Sequence, residues 1–425
     1  MKGFAFLFLL SILILQNAFA QRENVISEES KVPEYQLPDV LTRFNGGKVS
    51  TAKDWVKKQR PDILKLFTDE VYGKVPGIQK ISEVKVWETS DNAVNDLATR
   101  KQFSLFFKKG NRNLEVNVLM YLPKNAQKAP VFLAYNFTGN HTVYTDPNIR
   151  LTESWVANDP SLGIINNQVT EQSRATASNG WPIEKIIRSG YGLVTLYYGD
   201  VDPDKNDFSD GIEPFFYTKN QIKPRSNEWG SIAAWAWGLS RVMDYLEKDP
   251  DVDAKKVAVL GHSRLGKTAL WAGATDQRFA MVISNESGCG GAALSKRTYG
   301  ETVEIINTSF PYWFCDNFKK YNNREDLLSI DQHMLLALIA PRPLYVASAE
   351  DDKWADPRGE FLSAKYASAV YKLLGLEGLP VKEMPVVNQP VMGTIGYHIR
   401  TGKHGLTTYD WEQYIRFADK HFKEK

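Results

Sequence analysis

Cysteine is nearly absent from this chain: Cys289 and Cys315 are the two in 425 residues. That excludes a disulfide-stapled scaffold and any zinc site built on paired Cys-x-x-Cys motifs. An excess of charge is missing too. Lys and Arg number 52 against 50 Asp and Glu, a formal net charge of +2. No basic stripe stands out, so no nucleic acid is implied as a partner. The chain has no internal repeat and no Pro/Ser-rich linker. Beyond the first 20 residues no apolar run reaches the ~20 residues of a membrane-spanning helix. Histidine is scarce, with six residues, which shortens the search for a catalytic base. What remains is ordinary globular composition, 43% hydrophobic and 24% charged, in a chain long enough to bury a large core. Aromatic content is high, with 11 Trp and 19 Tyr. That fits carbohydrate binding, but many large cores look the same.

The first 20 residues read as a targeting segment. Lys2 precedes an apolar run from Phe4 to Leu15, and Ala18, Phe19 and Ala20 form a small-residue cleavage pattern. This predicts a signal peptide over 1–20, a mature chain from Gln21, and a secreted or periplasmic protein with no membrane contact after cleavage. In that oxidising space Cys289 and Cys315 either pair or remain buried thiols; the sequence leaves both open.

Residues 21–425 read as one catalytic domain with an N-terminal extension and loop insertions. Residues 21–50, with Pro33 and Pro38, read as extended. Asp54 to Tyr72 carries Trp55, Ile63, Leu64, Phe67 and Val71 at helical spacing. Alternating segments 81–88 and 115–122 predict two antiparallel strands. The pattern then changes to short continuous apolar runs at 131–135, 192–198, 257–260, 281–284 and 344–347, with helical stretches between them, the clearest at 229–247. Strands buried on both faces, separated by helices, mean a parallel sheet. The expected fold is α/β, an α/β-hydrolase three-layer sandwich with a mostly parallel central sheet and helices on both faces. Stretches 138–182 and 200–227 lack periodicity and read as functional insertions above the sheet.

The chemistry is concentrated where Val257 to Leu260 runs into Gly261, His262, Ser263, Arg264, Leu265, Gly266 and Lys267, followed by a helix-forming segment. Strand, sharp turn with Ser at its tip, then helix is the setting of a nucleophile elbow. The second glycine comes one residue late, with Leu265 in its place. Arg264 and Lys267 share a face of the first helical turn, where cations are disfavoured by ~0.3–1 kcal/mol each. Two of them beside a nucleophile suggest that negative charge, or an oxygen-rich ligand, is held there.

A serine nucleophile needs a base and an orienting acid. The chain order of α/β-hydrolases, Ser then acid then His, excludes His141 and His262. His421 falls in the terminal helix and His333 in a helix. His398 lies inside a strand-like segment, as a core histidine. His404, in a turn flanked by Gly402 and Gly405, fits the base. Asp352, after the run 344–347, leads as the acid; Glu286, after the run 281–284, is the other candidate. A second oxyanion donor is expected from the loop Asn136 to Asn140. The triad alone suits equally an acetyl-xylan esterase or a general carboxylesterase. A non-catalytic carbohydrate-binding protein on the same fold is a further alternative.

Together these motifs resemble the glucuronoyl esterases, carbohydrate esterase family 15, in their bacterial branch. The family pattern G-C-S-R-x-G-K is met by Gly261, Ser263, Arg264, Gly266 and Lys267, with His262 replacing the Cys that forms a disulfide in fungal members. Glu286, in the segment Asn285 to Gly291, matches E-S-G-A-G-G, which carries the fungal acid. Asp352 matches the bacterial acid, and His404 the family histidine. The similarity spans roughly residues 115–420. It implies hydrolysis of an ester between (4-O-methyl-)glucuronic acid of glucuronoxylan and a lignin-type alcohol, without metal or organic cofactor. It further implies that Arg264 contributes to the oxyanion hole, and that Lys267, Glu301 and Trp354 hold the uronic acid hydroxyls and ring.

Overall fold

A computed structural model of the chain describes residues 25–423, so the expected signal peptide lies outside the described residues. The helical expectation at 54–72 is met by a continuous run of α and π turns, Ala52–Asp54, Trp55–Gln59, Arg60–Phe67 and Thr68–Tyr72, which buries Trp55, Ile63, Phe67 and Val71. Three strands follow, not two: β1 (Glu83–Asn92), β2 (Ala98–Lys109) and β3 (Arg112–Pro123). They form an antiparallel meander in which β2 pairs with β3 from Ala98↔Pro123 to Lys109↔Arg112. Strand β2 escapes sequence reading because Arg100 and Gln102 sit in its first half. They are nonetheless buried, Arg100 on Glu88 and Asp146, and Gln102 on Glu88 and the Asn148 carbonyl. Those partners come from other segments.

The apolar runs become β4 (Ala129–Asn136), β5 (Gly192–Tyr197), β6 (Val252–His262), β7 (Met281–Asn285) and β8 (Leu344–Ala349); β9 (Val391–Met392) and β10 (Ile395–Arg400) complete the sheet. Across the sheet the order is β1-β2-β3-β5-β4-β6-β7-β8-β10-β9. From β5 to β10 every neighbouring pair is parallel. Burial on both faces is visible residue by residue. Val131, Leu133 and Tyr135 pack in one apolar cluster, with α2 (Ser231–Leu246) and α3 (Arg264–Thr275). Phe132 and Ala134 pack in the other, with α1 (Ile183–Arg188) and α5 (Thr408–Phe422). Helix α4 (Pro357–Leu373) lies with the first cluster. This is the expected three-layer α/β-hydrolase sandwich, with the strand ends at Asn136, His262, Asn285, Ala349 and Arg400 along one rim.

Both long insertions are irregular, as read. Residues 138–182 hold single helical turns and a two-residue hairpin, Ile164–Ile165 with Gln168–Val169. Cys289 and Cys315 are buried free thiols, so the bridge is not formed. Among the described residues no helix is long and apolar enough to cross a membrane.

Candidate active site

Strand β6 ends at His262, and α3 begins at Arg264. Between them Ser263 takes φ 58°, ψ −130°. A positive φ in a residue other than glycine is strained by about 1–3 kcal/mol and persists only where the surroundings enforce it. Here they do. The Ser263 N–H donates to the Asn285 carbonyl at 2.9 Å, and its own carbonyl accepts from Gly266 N–H at 2.8 Å. The glycines explain the spacing. A Cβ on Gly261 would lie 1.9 Å from the Leu265 carbonyl oxygen, so the helix start packs directly on that backbone. Leu265 is buried in the core, and it is Gly266 that meets the β7 end, at Asn285 and Ser287. The late second glycine thus serves helix-to-strand contact. At the first residue of α3 the Arg264 N–H has no intrahelical acceptor.

His404 stands exposed on the turn after β10. Its Nδ1 faces Asp352 Oδ2 at 2.6 Å and Glu286 Oε2 at 3.2 Å. The two acids that the sequence left competing are therefore both on the same nitrogen. Asp352 is the nearer. Glu286 is wholly buried and already engaged, by Arg400 Nη2 at 2.6 Å and by the Gly405 N–H at 2.8 Å. Burial pushes the Glu286 carboxyl upward, with His404 and Arg400 opposing. Desolvation works against a charged His404, yet the hydrogen bonds and charges of Asp352 and Glu286 lift its imidazole to about 9.

The His404 turn is framed from beneath. Arg400 donates to the Lys403 and Gly405 carbonyls on either side of it, at 3.0 and 2.7 Å, and its Nε pairs with Asp410. Glu286 itself has φ 46°, a second strained residue. The loop after it is braced by buried Glu360, which accepts from the Ser287 and Gly288 N–H groups at 2.7 and 3.0 Å and is pushed up to about 8 by burial.

His262 lies beside His404, ring centroids 4.5 Å apart. Its Nδ1 contacts Asn285 Oδ1 at 2.6 Å, and burial first, then His404, lowers it to about 3, so it is neutral. His262, Glu286 and His404 bring potential ligand atoms within 4.8 Å of one another. The two imidazole planes are tilted by 39° to each other.

Each of the remaining histidines has a partner away from Ser263. His398 is fully buried between Tyr345 and Asp410, His333 sits in a short helix on the Pro38 carbonyl, and His141 is buried on Ser173. His421 is half-buried and bonded to the Gly393 carbonyl.

The residues expected to hold substrate are also brought together. Lys267 is buried, with Nζ 2.6 Å from the Ser287 carbonyl and 3.6 Å from Glu301 Oε2. The Glu301 N–H donates to the Trp354 carbonyl at 3.0 Å, and Trp354 is 40% exposed. Arg264 pairs with Asp204 at 2.6 Å. In the loop expected to give the second oxyanion donor, the Asn136 amide donates to Asn140 Oδ1 and to Thr195 of β5, and Asn140 donates to the Asn117 carbonyl of β3. Sequence reading missed Asp204, Glu360, Arg400 and Asp410. Asp410 sits in the segment Lys403 to Trp411 and closes a capping box with Thr407; the bracing roles of all four arise from contacts across the chain.

Comparison with known proteins bears on this geometry. The family described as "Glucuronyl esterase, fungi" matches residues 166–375. A solved structure of a promiscuous CE15 esterase from a marine bacterial metagenome is 52% identical, with TM-score 0.88, over 94% of this chain and all of that one. The glucuronoyl esterase of Solibacter usitatus is 48% identical, with TM-score 0.88, over 93% of this chain and all of that one. A 4-O-methyl-glucuronoyl methylesterase of Schizophyllum commune is 28% identical over 354 residues, 80% of this chain and 74% of that one.

Proposed function

The chain belongs to carbohydrate esterase family 15 and is a carboxylic ester hydrolase acting on glucuronate esters; from that premise we propose how it acts, on what natural ester, and where. Ser263 Oγ attacks the ester carbonyl carbon while its proton passes to His404 Nε2. The oxyanion is held by the Arg264 N–H and guanidinium. The C–O bond to the alcohol breaks, the leaving oxygen takes the proton from the imidazolium, and a glucuronoyl ester remains on Ser263. Water then attacks that ester with His404 as base, releasing glucuronate and restoring the hydroxyl. Asp352 is the principal acid on Nδ1, with Glu286 beside it. Lys267 and Glu301 bind ring hydroxyls, and Trp354 offers its face to the sugar. The natural ester joins (4-O-methyl-)glucuronic acid of glucuronoxylan to a lignin-type alcohol. The signal-peptide pattern supports action outside the cytoplasm.

One observation carries this reading: a strained serine on a strand-to-helix turn shares a rim with an exposed histidine bonded to a buried carboxylate. The test compares wild type, Ser263→Ala and Glu301→Ala on benzyl glucuronate and on an aryl acetate. Ser263→Ala is expected to be inactive on both while folding normally. Loss of a buried polar partner costs about 1–3 kcal/mol, so Glu301→Ala should fall about 10- to 100-fold on the glucuronate and much less on the acetate. Turnover by folded Ser263→Ala would refute the nucleophile. Equal losses for Glu301→Ala would make that residue structural.

A further inference from the structure

We propose that Asp204, carried by the irregular insertion 200–227, is a positioning residue that fixes Arg264 for its work on the oxyanion. This rests on the assignment of Arg264 to oxyanion stabilisation.

Arg264 begins α3 with a long, rotamer-rich side chain, and nothing in the elbow itself sets its direction. The structure sets it from outside. Arg264 Nη1 donates to Asp204 Oδ2 at 2.6 Å and to the Tyr198 hydroxyl at 3.4 Å. The guanidinium lies between two aromatic rings, 5.6 Å from the centroid of Phe137 and 5.0 Å from that of Trp313. Both polar contacts use the one terminal nitrogen, and Nε donates to no protein group.

Asp204 is itself immobilised. Its Oδ2 accepts from Arg264 and from the Tyr198 hydroxyl at 2.8 Å; its Oδ1 accepts from the Tyr312 hydroxyl and the Trp313 indole N–H, each at 2.8 Å. A carboxylate has about four acceptor positions, and all four are filled. The donors come from three separate segments: the end of β5, the start of α3, and residues 312–313. The carboxylate is buried, its side chain 7% exposed. A charged acceptor with every lone pair engaged cannot swing without breaking several bonds at once. The guanidinium that leans on it inherits that rigidity. Preorganised donors are effective because they do not reorient as charge develops. A long insertion whose regular structure amounts to the single 3-10 turn Glu213–Phe216 therefore acquires a catalytic purpose.

The test is a double-mutant cycle on benzyl glucuronate with Asp204→Asn, Arg264→Met and the double variant. Asp204→Asn keeps the shape but removes the charge. A displaced oxyanion donor should lower kcat about 10- to 100-fold with KM changed by less than about threefold. Since Asp204 acts through Arg264, the same substitution should cost nothing further in the Arg264→Met background. Additive losses, or a change confined to KM, would overturn the proposal. A wild-type kcat in Arg264→Met would instead remove the oxyanion role of Arg264, and this proposal with it. Should Asp204→Asn fail to fold, Tyr198→Phe removes one donor from the same carboxylate without changing ring volume. A several-fold loss of kcat that vanishes in Arg264→Met supports the proposal, and an additive loss or none refutes it.

Discussion

Two carboxylates meet one imidazole nitrogen, and their environments divide the work between them. Asp352 approaches His404 Nδ1 to 2.6 Å, whereas Glu286 stands at 3.2 Å and is shared with Arg400 and Gly405. Loss of the triad acid costs ~10⁴ in rate in a serine protease. With a second carboxylate present, Asp352→Asn should be badly impaired but not inactive. Glu286→Gln should lose much less, and the double variant should be worse than either. kcat/KM for the three on one glucuronate ester decides; a larger loss in Glu286→Gln would reverse the assignment. The same pair sets the pH dependence. Negative charge beside an imidazolium stabilises it, which is why His404 titrates near 9. Only the neutral form accepts the serine proton, so kcat/KM should rise with pH toward that value. Glu286→Gln removes one stabilising charge and should move the midpoint to lower pH. A midpoint that stays put or rises would show that Glu286 does not act on His404.

At the scale of elements, the elbow depends on backbone approaching backbone. Gly261 lies where a Cβ would sit 1.9 Å from the Leu265 carbonyl oxygen, and neither strand nor helix start is free to yield. Gly261→Ala is expected to destabilise by about 3 kcal/mol or more, the upper end of overpacking effects. Gly266→Ala meets Ser287 Cβ at 2.9 Å and the Gly261 and Asn285 carbonyl oxygens at 3.1 and 3.2 Å, a smaller overlap than at Gly261, and should cost less. Denaturant midpoints of the two variants make the comparison; equal shifts would mean that the elbow is looser than drawn. Parallel strands β4 to β8 announced themselves as uninterrupted apolar runs because both faces are covered. Strand β2 did not, because Arg100 and Gln102 are satisfied by Glu88, Asp146 and the Asn148 carbonyl rather than by apolar packing.

Over the whole molecule, buried acids accumulate on the insertion and beneath the rim. Burial holds the Glu360 carboxyl near 8, and Asp202 and Glu213, buried side by side, are likewise pushed up. Each has a folded value above its ordinary one. Its stabilising contribution is therefore present at low pH and lost as pH rises through the folded value. His404, raised to about 9 by its carboxylates, has the same sign. The buried His141 and His262 are shifted downward, so above their ordinary value of 6.5 they are neutral in both states and contribute nothing. Stability should therefore fall between about pH 6.5 and 9, by about 1.4 kcal/mol per pH unit for each proton by which the two states differ. Calorimetric Tm across that range tests this; a flat or rising Tm would show that these acids are already ionised in the fold. Activity and stability are thus expected to run in opposite directions over the same interval.

The sequence by itself determined the α/β layering and singled out Ser263 as the candidate nucleophile. Strand burial, helix periodicity and a serine between a strand and a helix are local patterns, readable within a dozen residues. His404 was reachable by elimination, because six histidines and a fixed chain order leave few choices. Chain order put Asp352 ahead of Glu286, but both follow strands that end on the same rim, and that both face one imidazole nitrogen, at 2.6 and 3.2 Å, is visible only in the structure. The frame around them was hidden for the same reason. Asp204, Arg400, Asp410 and Glu360 act through contacts spanning 60, 114, 125 and 73 positions in the chain. Such contacts leave no periodic trace, because a polar residue looks alike in the sequence whether it faces solvent or a buried partner. Tertiary structure alone chooses between those two environments, by burying the residue and demanding a partner for its charge.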